Sequence, residues 1–190
     1  MHALNIQWLQ WIAAGDEPAA WPLLIAWLSA QWGTWVCAAG LAWVAWKRRP
    51  DRFFLAVVVA GAVLASLLSH AIAAHFNMPR PFVAGWVPAY ISHRASAATP
   101  STHATVMFFI AFALLSRAAL RGPGGLMLAM ACTVGWARIY VGVHFPFDIL
   151  AGIAIAAVQA GALMLAWRPY RPAAAVGLRP PPASSFGRLS

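Results

Sequence analysis

Residues 53–76 read FFLAVVVAGAVLASLLSHAIAAHF, 24 positions with no Lys, Arg, Asp or Glu. About 20 predominantly apolar residues suffice to cross the hydrocarbon core of a bilayer. The stretch follows Lys47, Arg48, Arg49, Asp51 and Arg52 and ends at Asn77, Pro79 and Arg80. It reads as a membrane-spanning helix, and its neighbours repeat the pattern. Trp21–Trp46 holds 26 residues without a charge. Further apolar spans run from about Ser101 to Leu120, Gly124 to Val143 and Phe147 to Trp167. The 190-residue chain is 62% hydrophobic and 9% charged, where a soluble domain carries about 25% charged residues. Its mean hydropathy is +0.71. The expectation is an all-α polytopic membrane bundle of about five transmembrane helices, forming one domain over residues 19–168.

Residues 1–18 place Leu4, Trp8, Leu9, Trp11 and Ile12 among polar residues, the composition of a short helix lying in the membrane interface. No basic segment precedes the first span, so no cleaved signal peptide is expected. Residues 169–190 are rich in Pro, Ala, Ser and Arg and read as a disordered cytoplasmic tail. Cys37 and Cys132 fall in separate apolar spans and read as packing residues.

A net charge of +9 would suggest nucleic acid in a soluble protein, but these cations cluster beside apolar spans. Membrane lipids are the expected surroundings, and no nucleic-acid partner is expected. Ten of the basic residues fall at one set of span ends: Lys47, Arg48, Arg49, Arg52, Arg117, Arg121, Arg168, Arg171, Arg179 and Arg188. The positive-inside rule makes that side cytoplasmic. Only Arg80, Arg94 and Arg138 fall at the other ends, with the 77–100 loop and His144.

Three polar islands meet on that outward side. They are Pro79-Arg80-Pro81-Phe82, Pro100-Ser101-Thr102-His103, and the run RIYVGVHFPFD from Arg138 to Asp148. Arginines offer planar forks for phosphate oxygens. Pro100 and Ser101 mark a helix start, whose first N–H groups attract anions. A histidine attacks phosphorus when a carboxylate fixes its tautomer. Asp148 lies four residues after His144, with Pro146 favouring a helical first turn between them. A second histidine, His103, is the candidate to protonate the departing oxygen. Chance supplies only about 0.01 such Arg–His–acid triples in a chain of this composition, so the run is specific. Asp148 is also the only acid after Asp51. Arg80 has a bland alternative as an interfacial anchor, and Ser101 as a helix cap alone. The sequence assigns no role to His93, and it offers Arg94 as a candidate contact to a second phosphate.

These islands resemble the three motifs of the type 2 phosphatidic acid phosphatase family, K-x6-R-P, P-S-G-H and S-R-x5-H-x3-D. The resemblance covers residues 53–167 and is closest to the bacterial undecaprenyl-diphosphate phosphatase branch, through His75–Ala84, Ile91–Ala95 and Thr99–Ala104. It implies a metal-independent lipid phosphatase without cofactor, acting through a phosphohistidine. His144, Asp148 and His103 match the catalytic positions; Arg80, Ser101, Thr102 and Arg138 match the phosphate-binding ones. It also implies an isoprenoid diphosphate substrate and a bacterial inner membrane location, with the site facing the periplasm or cell exterior. Three departures stand out: Ala73 replaces the Lys, Thr102 the Gly or Asp, and Ala137 the Ser. Rival readings are a glycerolipid phosphatase, a lipid A phosphotransferase, and a silent scaffold or lipid transporter.

Overall fold

The computed structural model describes residues 2–167, and among them the chain is helical with no strand. The expected tail lies outside the described residues. The order is α1 (His2–Ile12), α2 (Ala20–Lys47), α3 (Arg52–Phe76), α4 (Thr102–Leu115), α5 (Arg121–Tyr140) and α6 (Pro146–Trp167), with one-turn 3-10 helices at Arg49–Asp51 and Ala118–Leu120. Among the described residues, two stretches are long and apolar enough to cross a membrane, Arg49–Phe76 and Pro146–Trp167.

The centre of the bundle is α4. Most of its side chains are buried, from Ala104 and Thr105 to Ala113 and Leu114, and it packs on α3, α5 and α6. Within a bilayer there is little hydrophobic drive between helices, so close van der Waals fit must hold them. The α6 sequence supplies it with small residues at helical spacing, Gly152, Ala156 and Ala160, all buried. A Cβ added to Gly152 would lie 3.0 Å from both the Ser101 carbonyl oxygen and the Ala104 Cβ. Glycine therefore lets α6 approach the very start of α4.

The expected Ser101–Leu120 span is corrected. α4 stops at Leu115, Arg117 is extended, and a 3-10 turn follows. Arg117 reaches Asp51 at 3.1 Å and lies over the Phe54 ring at 4.7 Å, so a contact to the α2–α3 junction bends the chain there. The Gly124–Val143 span is also shifted, since α5 covers Arg121–Tyr140. Its end is fixed by Gly142, whose φ of +80° favours a residue without a Cβ. A Cβ there would also strike the Pro88 carbonyl.

The N-terminal helix docks instead of merely lying beside the bundle. Leu9 is completely buried, Asn5 Oδ1 accepts the Phe147 N–H at 3.1 Å, and Trp8 meets Phe147 edge-on. α1 thus braces the start of α6, the helix that carries Asp148.

Candidate active site

Four pieces of chain converge at one end of the bundle: the 77–101 loop, the first turn of α4, the last turn of α5 and the α5–α6 turn. Asp148 is the third residue of α6, and its Oδ2 accepts the N–H of Phe145, the residue before the helix, at 2.8 Å. This is one half of a capping box, and the carboxylate also gains from the helix dipole. Thr99 Oγ1 donates to Asp148 Oδ1. The Ser101 N–H donates to the Asp148 carbonyl at 3.0 Å, joining α4 to α6 through the backbone.

His144 Nδ1 lies 3.3 Å from Asp148 Oδ2. An ionised carboxylate only accepts, so Nδ1 carries the proton and Nε2 presents a lone pair. Arg80 donates through one terminal nitrogen to that Nε2 at 3.1 Å and to the Val143 carbonyl at 2.9 Å. Its other terminal nitrogen donates to Ser96 Oγ and the Ala97 carbonyl. The His144 ring is buried, and burial first, then the Arg138 and Arg80 cations, holds its pKa well below the usual imidazole value. Burial also lowers Arg80, with Asp148 opposing that shift.

Arg138 is 3% exposed, and its contacts are long: 3.4 Å to the Ala30 carbonyl and 3.5 Å to His103 Nε2. Its Nε and remaining terminal nitrogen, the Arg80 Nε and the Ser101 Oγ are buried with no partner. Unsatisfied buried donors are costly. Four on one site call for an acceptor-rich anion, which is what a phosphoryl group supplies. The first N–H groups of α4 have no acceptor within their own helix and add to the same field.

Two cavities meet here. A polar one of about 400 Å³ is lined by Arg80, His93, His103, Arg138 and His144, with His70, Asn77 and Ala73 among its other residues. An apolar one of about 640 Å³ runs between α2, α3 and α4, past Leu41, Leu55, Val59 and Ile110 to Arg52. Thr102 and His103 line both.

All seven residues matched to the family motifs therefore gather at this end: Arg80, Ser101, Thr102, His103, Arg138, His144 and Asp148. The Thr102 hydroxyl is turned to Ser69 Oγ at 3.1 Å on α3. Arg94 is exposed and is not among the residues lining the polar cavity. Of the departures, Ala73 lines the cavity where a lysine is missing, whereas Ala137 belongs to a buried apolar cluster with Ala26 and Ala30 of α2. Sequence reasoning missed Thr99, Ser69 and Ser96. Thr99 was adjacent to a motif; the other two carry no spacing signal. Among the described residues no cluster of three metal-ligating side chains occurs.

Fold and site together define a helical membrane enzyme of phosphoryl chemistry. The PAP2 superfamily model matches residues 53–172, and the chain belongs to that superfamily of membrane lipid phosphatases. The Escherichia coli K12 protein YbjG, whose name assigns it provisionally as an undecaprenyl-diphosphatase, is 26% identical over 87% of this chain and 83% of its own. The Bacillus subtilis undecaprenyl-diphosphatase BcrC is 39% identical over 42% of this chain and 40% of its own. A lipid A 1-phosphatase of Rhizobium johnstonii is 37% identical over 55% and 42% respectively. Among solved structures, Aquifex aeolicus LpxE superposes with a TM-score of 0.68 at 22% identity, covering 85% of this chain and 95% of its own. That likeness is one of fold.

Proposed function

We propose that this phosphatase removes the terminal phosphate of an undecaprenyl diphosphate, leaving undecaprenyl phosphate for reuse in cell-wall synthesis. The observation that carries the reading is the junction of a cationic, donor-rich cavity with a long apolar one at His103. A charged headgroup fits the first and a hydrocarbon tail the second.

His144 Nε2 attacks the terminal phosphorus, and the N–P bond forms as the bond to the bridging oxygen breaks. Protonated His103, at the mouth of the apolar cavity, gives its proton to that leaving oxygen. Arg80, Arg138, Ser101 and the Thr102 N–H hold the phosphoryl oxygens as their charge redistributes. Water then attacks the phosphohistidine and gives its proton to His103, which releases phosphate and restores His144. Asp148 steadies the His144 ring throughout. Five crossings, a membrane domain over 19–168 and a periplasmic site in a bacterial inner membrane complete the reading.

A lipid A phosphatase is the second reading, favoured by the Rhizobium relative. Both are tested in detergent with excess chelator, on undecaprenyl diphosphate, undecaprenyl phosphate, phosphatidylglycerophosphate, phosphatidate and lipid A. Undecaprenyl diphosphate should give the highest kcat/KM, and His144→Ala should lower it at least about 10³-fold. Preference for lipid A would move the assignment to the second reading. Native turnover by His144→Ala would overturn the chemistry.

A further inference from the structure

Two histidines of the polar cavity, His70 and His93, have no part in the reaction as written, and of these His93 is the one whose ring neighbours that of His144. His93, in the loop between α3 and α4, lines that cavity with Arg80, Arg138, His103 and His144. Its ring centroid is 6.5 Å from that of His144, with the rings steeply inclined at 77°. The two rings are thus near neighbours on the wall of the same cavity. The tautomer of His93 follows from its own loop. Nδ1 lies 3.0 Å from the Arg94 carbonyl oxygen, which only accepts. Nδ1 therefore carries the proton, and Nε2 is an acceptor.

That acceptor is unusual where it sits. The groups assigned to the phosphoryl oxygens are donors: both guanidinium groups, the Ser101 hydroxyl and the first N–H groups of α4. The lone pairs of His144 and His103 are committed, one to phosphorus and the other to the leaving group and then to water. His93 is an acceptor next to His144 that the chemistry does not consume. An acceptor beside an oxyanion is repelled unless the oxygen facing it carries a hydrogen.

We propose that His93 Nε2 accepts a hydrogen bond from a protonated oxygen of the phosphoryl group, and so selects proton-bearing phosphate over oxyanions that have none. The assignment rests on the phosphoryl-site reading above. Burial lowers the His93 pKa despite its bond to the Arg94 carbonyl, and Arg80 and Arg138 lower it further, which keeps the ring neutral. With a second phosphate pKa near 6, a phosphate monoester carries this proton only on the acidic side of neutrality. Inorganic phosphate, the product, keeps one throughout the neutral range.

The test is calorimetric binding of inorganic phosphate and of sulfate to the purified full-length chain, in detergent with chelator at constant ionic strength. Sulfate has the same shape and no proton near neutral pH. Wild type should bind phosphate about tenfold more tightly than sulfate, the ratio expected when one half-buried acceptor is mismatched. His93→Asn keeps a donor for the Arg94 carbonyl and removes the distal acceptor, so it should lose most of that preference. His93→Gln places an amide oxygen near the former Nε2 and should keep it. Equal binding of both anions by wild type, or an undiminished preference in His93→Asn, would overturn the proposal. Should the Asn variant fail to fold, the wild-type ratio and the Gln variant still decide. Failure of wild type to bind either anion, with no phosphate competition against the lipid substrate, would instead defeat the phosphoryl-site reading.

Discussion

Asp148 is fixed by contacts from three directions before it meets His144: the Thr99 hydroxyl, the Phe145 N–H and the backbone link from its carbonyl to Ser101. It therefore orients the imidazole without having to be ordered by it. A hydrogen bond to a charged acceptor is worth about 1.5–3 kcal/mol. Thr99→Val keeps the shape and removes the donor, so kcat should fall about 10- to 100-fold with KM little changed. Steady-state kinetics on the lipid substrate would show it, and a kcat within twofold of wild type would refute it. The environment of His144 makes a separate prediction. Its pKa is depressed by burial and by Arg138 and Arg80, so the ring stays unprotonated as pH falls through the ordinary imidazole value of about 6.5. Diethylpyrocarbonate reacts with neutral imidazole. Substrate-protected inactivation should thus keep its full rate from pH 7.5 down through pH 6, and a rate halved near 6.5 would contradict the assignment. The sign for stability follows from linkage. Below about pH 6.5 the unfolded chain binds a proton at His144 that the native chain does not, so stability declines as pH drops through that window. The motif residues were legible because each occupies a local pattern. Thr99 and Ser69 were not, because their contacts to Asp148 and Thr102 depend on how separate helices pack.

At the level of elements, the site depends on how closely α4 and α6 approach. Gly152, Ala156 and Ala160 repeat every fourth residue along α6, a pattern readable in sequence as small-xxx-small packing. What the sequence does not reveal is which helix they meet. Gly152 lies against the Ser101 carbonyl and Ala104, directly behind the turn that presents Ser101 and Thr102. Gly152→Ala should therefore do two things. Overpacking should destabilise the bundle by about 1–3 kcal/mol, seen as a lower thermal midpoint in detergent. It should also weaken phosphate binding by displacing the first turn of α4. Gly161 is the control, since a Cβ added there meets nothing, and Gly161→Ala should leave both measurements unchanged. The end of α4 was misread for a related reason. Residues 101–120 look continuous in hydropathy, and the break at Ser116 arises from the Arg117–Asp51 contact, a pairing across the bundle that no local window contains. Asp51 is buried and Arg117 about one-third exposed. Solvent screening discounts the pair, so Asp51→Asn should cost only about 1 kcal/mol of stability and leave kcat/KM intact.

Across the whole molecule, the two ends are chemically opposite. The α2–α3 junction with Arg48, Arg49 and Arg52 meets the α4–α5 junction through Arg117 and Asp51, and Trp167 at the end of α6 packs on Phe53 and Phe54. The site residues occupy the other end. This segregation matches what the placement of cations alone implies, so the polarity of the bundle was legible from sequence. The number of crossings is a harder matter, and it turns on α4. Its 14 residues extend about 21 Å at 1.5 Å per residue, short of the ~30 Å hydrocarbon core. A lipid-facing helix of that length would strain the bilayer. But α4 is enclosed by α3, α5 and α6, so lipid does not set its length, and irregular backbone at its ends is tolerated where protein surrounds it. A five-crossing arrangement then requires the loops on either side of α4 to open on opposite faces of the membrane. Arg94 lies in the first of these connections and Arg121 opens α5 just after the second, and both are exposed. In a background with Cys37 and Cys132 replaced by alanine, a cysteine at 94 should react with an impermeant maleimide on intact spheroplasts. A cysteine at 121 should react only after permeabilisation. Labelling of both from outside would mean that α4 does not cross, and the reverse pattern would place the phosphate-binding end in the cytoplasm.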